Sequence, residues 1–113
     1  MLGTLTTHVL DTSIGKPAEH VFITLYKLPE KRKLRECYTN NDGRIDQPLL
    51  EGESLVKGTY ELHFHVGEYF QKKLESECTF LDVVPVRFVI SKDENYHVPL
   101  LISPGGYSTY RGS

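Results

Sequence analysis

Thr59-Tyr60-Glu61-Leu62-His63-Phe64-His65-Val66 alternates apolar and polar side chains, with Tyr60, Leu62, Phe64 and Val66 on one face and Glu61, His63 and His65 on the other. A period of two along the chain marks a strand with one face in a core and one face wet. The next segment breaks this period. Between Gly67 and Glu77, Phe70 and Leu74 fall four apart among Lys72, Lys73, Glu75 and Glu77, as on a short amphipathic helix.

Strands read outward in both directions from there. Upstream, His20 to Leu28 carries apolar residues on both faces, as a strand central in its sheet does. Lys33 to Thr39 makes a more polar strand, closed by Asn40-Asn41-Asp42-Gly43, residues that tolerate positive φ, so that Arg44 starts the next segment. Thr4 to Leu10 is a first strand, ending on the turn-rich stretch from Asp11 to Pro17. Downstream, Val86 to Ser91, Tyr96 to Ile102 and Tyr107 to Arg111 complete the set, the last two joined by Ser103-Pro104-Gly105-Gly106. About eight short strands and one helix predict an all-β, two-sheet sandwich, with a barrel as the alternative.

The 113 residues suit one domain over 1–113. Hydrophobic residues at 39% and charged residues at 25% describe an ordinary folded chain rather than a disordered or fibrous one. With 13 Lys and Arg against 15 Asp and Glu, the net charge of -2 supplies no field to attract a phosphate backbone, so nucleic acid is not expected as a partner. No apolar stretch is long enough to span a bilayer, and Met1-Leu2-Gly3-Thr4-Leu5 lacks the basic start and apolar run of a secretory signal. A cytoplasmic protein without membrane partners is expected. Cys37 and Cys78 stand far apart, without the close spacing of zinc sites or redox dithiols, and are expected to be reduced and semi-buried. No metal and no cofactor are expected.

His8 shares a strand face with Thr6 and Leu10, opposite Leu5, Thr7 and Val9; His97 shares one with Pro99 and Leu101. Taken singly, each strand histidine reads as a surface residue or a satisfied core one. The end of the chain changes the weighting. Tyr107-Ser108-Thr109-Tyr110-Arg111-Gly112-Ser113 stops on strand-forming and polar residues, where a solvated tail is usual, with Ser108 and Tyr110 on one face. His63 and His65 have a spacing that can bind metal but no evident third ligand, so a polar outer face is expected for them, and His20 defaults to the surface.

Leu5-Thr6-Thr7-His8-Val9-Leu10-Asp11, the Asp42-Gly43-Arg44 turn, His97-Val98-Pro99-Leu100-Leu101 and the closing Tyr107 to Ser113 resemble the 5-hydroxyisourate hydrolases, the transthyretin-like proteins of purine breakdown. The likeness covers essentially the whole chain in order, and Tyr110-Arg111-Gly112-Ser113 is the ending that separates those hydrolases from transthyretin itself. One departure precedes His97: Asn95-Tyr96-His97 stands where many members have His-Tyr-His.

The resemblance implies a transthyretin-like sandwich assembled as a homotetramer, with sites in a channel where two dimers meet. It implies hydrolysis of 5-hydroxyisourate at its N1–C6 amide bond, giving 2-oxo-4-hydroxy-4-carboxy-5-ureidoimidazoline. His8, Arg44, His97 and the C-terminal tetrapeptide map onto the family's functional residues. A neutral imidazole can take a proton from water and return one to the departing nitrogen, and His8 and His97 are candidates for both roles. Arg44 would hold the oxygen-rich substrate and stabilise the oxyanion with its planar fork. Tyr110 and Ser108 would contact substrate, Ser113 would orient water or substrate, and Arg111 and Gly112 would place them. The alternative is a transthyretin-like carrier that binds a small aromatic ligand without chemistry, which has no need of two histidines, an arginine and this ending.

Overall fold

The structure, a computed structural model, describes residues 3–112. Two sheets face each other. The first contains β1 (Thr4–Asp11), β2 (Lys16–Pro17), β5 (Leu50–Glu51), β8 (Tyr96–Ser103) and β9 (Gly106–Thr109), in the order β2-β1-β8-β9 with β5 also paired to β1. The second is β4-β3-β6-β7, built from β3 (Phe22–Lys27), β4 (Arg32–Tyr38), β6 (Gly58–Phe64) and β7 (Val84–Ile90). Among the described residues one α-helix, α1 (Val66–Leu74), follows β6, and a single 3-10 turn spans Gly52–Ser54 after β5. The expected all-β sandwich is the fold. No helix among the described residues is long and apolar enough to cross a membrane.

Alternation places the core. Leu5 and Val9 of β1, Ile23 and Leu25 of β3, Leu62 and Phe64 of β6, and Leu100 and Ile102 of β8 are all fully buried between the sheets. Each such side chain contributes roughly 1.5–3 kcal/mol by leaving water. β3 is central, between β4 and β6, as its apolar load predicts. On the polar face of β6, His63 Nε2 lies 2.7 Å from Glu61 Oε1 and Arg87 Nε donates to Glu61 Oε2 at 3.0 Å, so this face is a knitted ionic patch.

Several boundaries differ from the sequence reading. The helix ends at Leu74, not Glu77, and Leu74 is exposed. Its buried side chains are Val66, Tyr69 and Phe70, the i, i+3, i+4 set on the side facing the sheets. Arg44 starts no strand: it forms an isolated bridge to His8, and the chain regains strand structure only at β5. β2 and β5, two residues each, are too short to show a period. Cys37 is half-buried as expected but Cys78 is exposed, because it lies in the loop beyond α1.

The pairing that brings the two strand histidines together is non-local. β1 and β8 run parallel, with Thr6 opposite His97, His8 opposite Pro99 and Leu10 opposite Leu101. Leu101 in turn faces Ser108 of β9.

Candidate active site

Because partners in register share a face, the β1–β8 pairing gathers Thr6, His8, His97, Pro99, Leu101 and Ser108 on the outer face of the first sheet. The inner face takes Leu5, Thr7, Val9, Val98 and Leu100. His8 and His97, far apart in sequence, thus stand on neighbouring strands.

Arg44 arrives on the turn after β4. Asn40 Oδ1 accepts from the backbone N–H of Asp42 at 2.9 Å and of Arg44 at 3.2 Å, and Asn40 N–H donates to Arg44 O at 2.7 Å. Gly43 has φ +74°, and a side chain there would begin 2.3 Å from Val9 O. Only glycine permits both the left-handed conformation and this approach to β1. The turn is tied down by Val9 N–H donating to Gly43 O at 2.8 Å, which leaves Arg44 bridged to His8. Its guanidinium has no carboxylate within ion-pair distance among the described residues.

His8 Nε2 lies 2.9 Å from the Asp42 carbonyl oxygen. A carbonyl only accepts, so Nε2 carries the hydrogen and the lone pair of neutral His8 sits on Nδ1. His97 Nδ1 lies 2.8 Å from Thr6 Oγ1. Burial, then the nearby Arg44 charge, hold His8 below its usual 6.5, against the opposing pull of Asp42. Burial, Arg44 and then His8 lower His97 from the same value. Both imidazoles are therefore neutral near pH 7, as proton acceptors must be.

The tail is pinned beside them. Gly112 N–H donates to His97 O at 2.8 Å and Thr109 Oγ1 donates to Pro99 O at 2.7 Å. Arg111 Nη2 donates to Glu94 Oε1 at 3.0 Å and Asn95 O at 3.1 Å, with its guanidinium 4.4 Å over the Tyr96 ring. Tyr96 is itself fixed by its hydroxyl, which takes N–H bonds from Ser91 and Lys92.

A cleft of about 330 Å³ lies at Thr6, Arg44, Asn95 and His97. Tyr110, mostly exposed, lines a second, of about 190 Å³, with His97, Arg111 and Phe88. Ser108 shares the face but sits four residues from Gly112, roughly 13 Å along an extended chain. Ser113, expected at the site, lies outside the described residues. A larger cleft, about 480 Å³, opens elsewhere between Lys16, Tyr38 and Lys72, and contains none of His8, Arg44 and His97. Sequence reading missed Thr6 and the Asp42 carbonyl as partners of the histidines. Parity did put Thr6 on the face of His8, but nothing local tied it to His97.

Comparison with known proteins gives a consistent result. Residues 5–112 match the model of the HIUase/Transthyretin family. The chain is 54% identical to 5-hydroxyisourate hydrolase 2 of Rhizobium meliloti, covering 98% of this chain and 97% of that protein. It is 50% identical to the 5-hydroxyisourate hydrolase of Halalkalibacterium halodurans, over the whole of both. Among solved structures, the Klebsiella pneumoniae 5-hydroxyisourate hydrolase superposes with a TM-score of 0.85 at 39% identity, over 98% of this chain and 99% of that one. An (S)-allantoin synthase superposes at 0.92 with 45% identity over 99% of this chain, which spans only 44% of that longer protein.

Proposed function

The chain belongs to the HIUase/Transthyretin family, and we infer that it is a 5-hydroxyisourate hydrolase, opening the six-membered ring to give 2-oxo-4-hydroxy-4-carboxy-5-ureidoimidazoline in urate degradation. One observation carries this reading: half or more of the residues are identical, end to end, to relatives of that name.

The side chains supply a mechanism. Water attacks the C6 carbonyl while a neutral imidazole, His8 or His97, takes its proton. The resulting oxyanion faces the Arg44 guanidinium, a preorganised charge worth several kcal/mol where water is excluded. The C6–N1 bond then breaks, N1 receives the proton held on the imidazole, and a carboxylic acid remains. Arg44 suits the task because its own charge is not spent on a neighbouring carboxylate among the described residues. Tyr110, beside His97 on the terminal strand, serves as a substrate contact and Ser113 orients water, whereas Ser108, opposite Leu101, stands too far along the strand from His97 to share that contact within one chain. Arg111, held by Glu94 and Tyr96, anchors the terminal strand.

The reading extends to a single hydrolase domain over 1–113, acting in the cytosol without a cofactor as a homotetramer. Support for assembly comes from the sheets: each ends in an edge strand, β7 and β9, and Thr6, His8, His97 and Leu101 on the outer face of the first sheet stay partly exposed in the single chain.

The test generates 5-hydroxyisourate from urate and follows its ultraviolet signal. Wild-type protein should accelerate the decay, His97→Ala should lose most of that acceleration, and so should a variant lacking the last four residues. Wild-type decay no faster than the spontaneous reaction refutes the enzyme. Full activity in the truncated variant refutes the role of the terminus alone.

A further inference from the structure

The His97 ring is held along two opposite edges. On one side, Nδ1 meets Thr6 Oγ1 at 2.8 Å, across the register pair that joins β1 to β8. On the other, Cδ2 occupies the space in front of Gly112, the residue bridged to His97 on the terminal strand. Thr6, His97 and Gly112 form one row across the sheet. With Nδ1 and Cδ2 held, the remaining edge of the ring, Cε1 and Nε2, points away from the β8 backbone.

The two histidines differ in what anchors them. The partner of His8 is a carbonyl, which accepts only and fixes one tautomer. The partner of His97 is a hydroxyl, which both donates and accepts. When Nδ1 carries a hydrogen, as in the imidazolium or one neutral tautomer, Thr6 accepts it. When Nδ1 carries the lone pair, the hydroxyl rotates and donates. Among the described residues, Thr6 Oγ1 has no other side-chain or backbone hydrogen bond, so the rotor is free to follow the proton.

We propose that Thr6 is a positioning residue for the reaction: its hydroxyl keeps the His97 ring in one orientation through every protonation state, so that Nε2 stays on the substrate side while it takes and returns a proton. This rests on the assignment of the site as a hydrolase. Over one turnover the balance closes on His97 alone. Nε2 gains the proton of the attacking water and later gives it to N1 of the ring, while Thr6 keeps its own hydrogen.

Thr6→Val keeps the shape and removes the hydroxyl, and Thr6→Ser restores it. Thr6→Val is expected to lower kcat on the order of tenfold to a hundredfold with KM within about twofold of wild type, the signature of lost orientation rather than lost binding. Thr6→Ser is expected to recover most of the rate. In ¹⁵N-labelled protein, long-range ¹H–¹⁵N correlations should show a changed His97 tautomer balance in Thr6→Val while His8 keeps its hydrogen on Nε2. Wild-type kcat in Thr6→Val, or a rate loss with unchanged His97 ring signals that Thr6→Ser fails to rescue, overturns the proposal. If wild type does not hydrolyse 5-hydroxyisourate, the function assignment fails by itself, and the ring correlations still decide whether Thr6 governs His97.

Discussion

A methyl group on Gly112 would stand 2.6 Å from His97 Cδ2, closer than real carbon contacts allow. The terminal glycine is therefore a steric requirement of the histidine, beyond any freedom of its backbone. Gly112→Ala must push the ring or the tail aside. The expected loss in kcat is on the order of a hundredfold, since a displacement of about 1 Å at a reacting group costs that much. The unfolding temperature should fall by less than the catalytic loss would suggest, because among buried core side chains the tail packs on Tyr96, through the Arg111 guanidinium 4.4 Å over its ring. Wild-type turnover of Gly112→Ala in the ultraviolet assay would count against the row.

The lowered pKa values of His8 and His97 set the pH dependence. Each folded value lies below the usual 6.5, so the unfolded chain binds more protons at mildly acid pH. Their contribution to stability is fully present above 6.5 and is lost as pH falls through 6.5 toward the folded values. In the proposed mechanism activity depends on the same neutral imidazoles, so the acid limb of kcat/KM is expected below 6.5. Arg44→Gln removes the positive charge that both histidines feel. That limb should then move up in pH, with kcat reduced roughly 10²–10³-fold for a lost oxyanion partner. A pH–rate profile with an unmoved limb would exclude Arg44 as a cause of the shift.

Gly43→Ala tests how the turn is built. Its φ of +74° and the 2.3 Å approach to Val9 O leave no room for a side chain. Left-handed strain and overpacking together should cost about 2–4 kcal/mol in urea unfolding. Activity should fall too, since the Asp42 carbonyl that fixes His8 belongs to the same turn.

Tyr69→Phe should separate stability from catalysis. The Tyr69 hydroxyl donates to Asp11 Oδ2 at 2.7 Å, and Asp11 is buried at the end of β1 on the face opposite His8. Removing one bond to a buried carboxylate should cost about 1–3 kcal/mol in urea unfolding. Turnover at room temperature should match wild type. A large fall in kcat would show that the inner face of β1 is coupled to the outer one.

Much of the fold was legible from period alone. The alternation in Thr59 to Val66 predicts which side chains of β6 enter the core, and Tyr60, Leu62 and Phe64 do. The same parity places Thr6 with His8 and Ser108 with Tyr110. Leu74 shows where such reasoning stops. It sits four residues from Phe70, but the helix ends on it, beyond the last turn that touches the sheets, and Glu75 closes the helix with a φ of 50°.

The sequence by itself determined the longer strands, the face each of their residues occupies and, through resemblance, the family, because side-chain alternation is a local property of an extended chain; the two-residue β2 and β5 it did not show. It did not determine which strands meet. The parallel pairing of β1 with β8 was decided by tertiary packing, where Leu5, Val9, Leu100 and Ile102 close a common core against the second sheet. That choice of neighbours is what sets Thr6 against His97, brings the Gly43 turn onto Val9 and gathers two strand histidines into one candidate site.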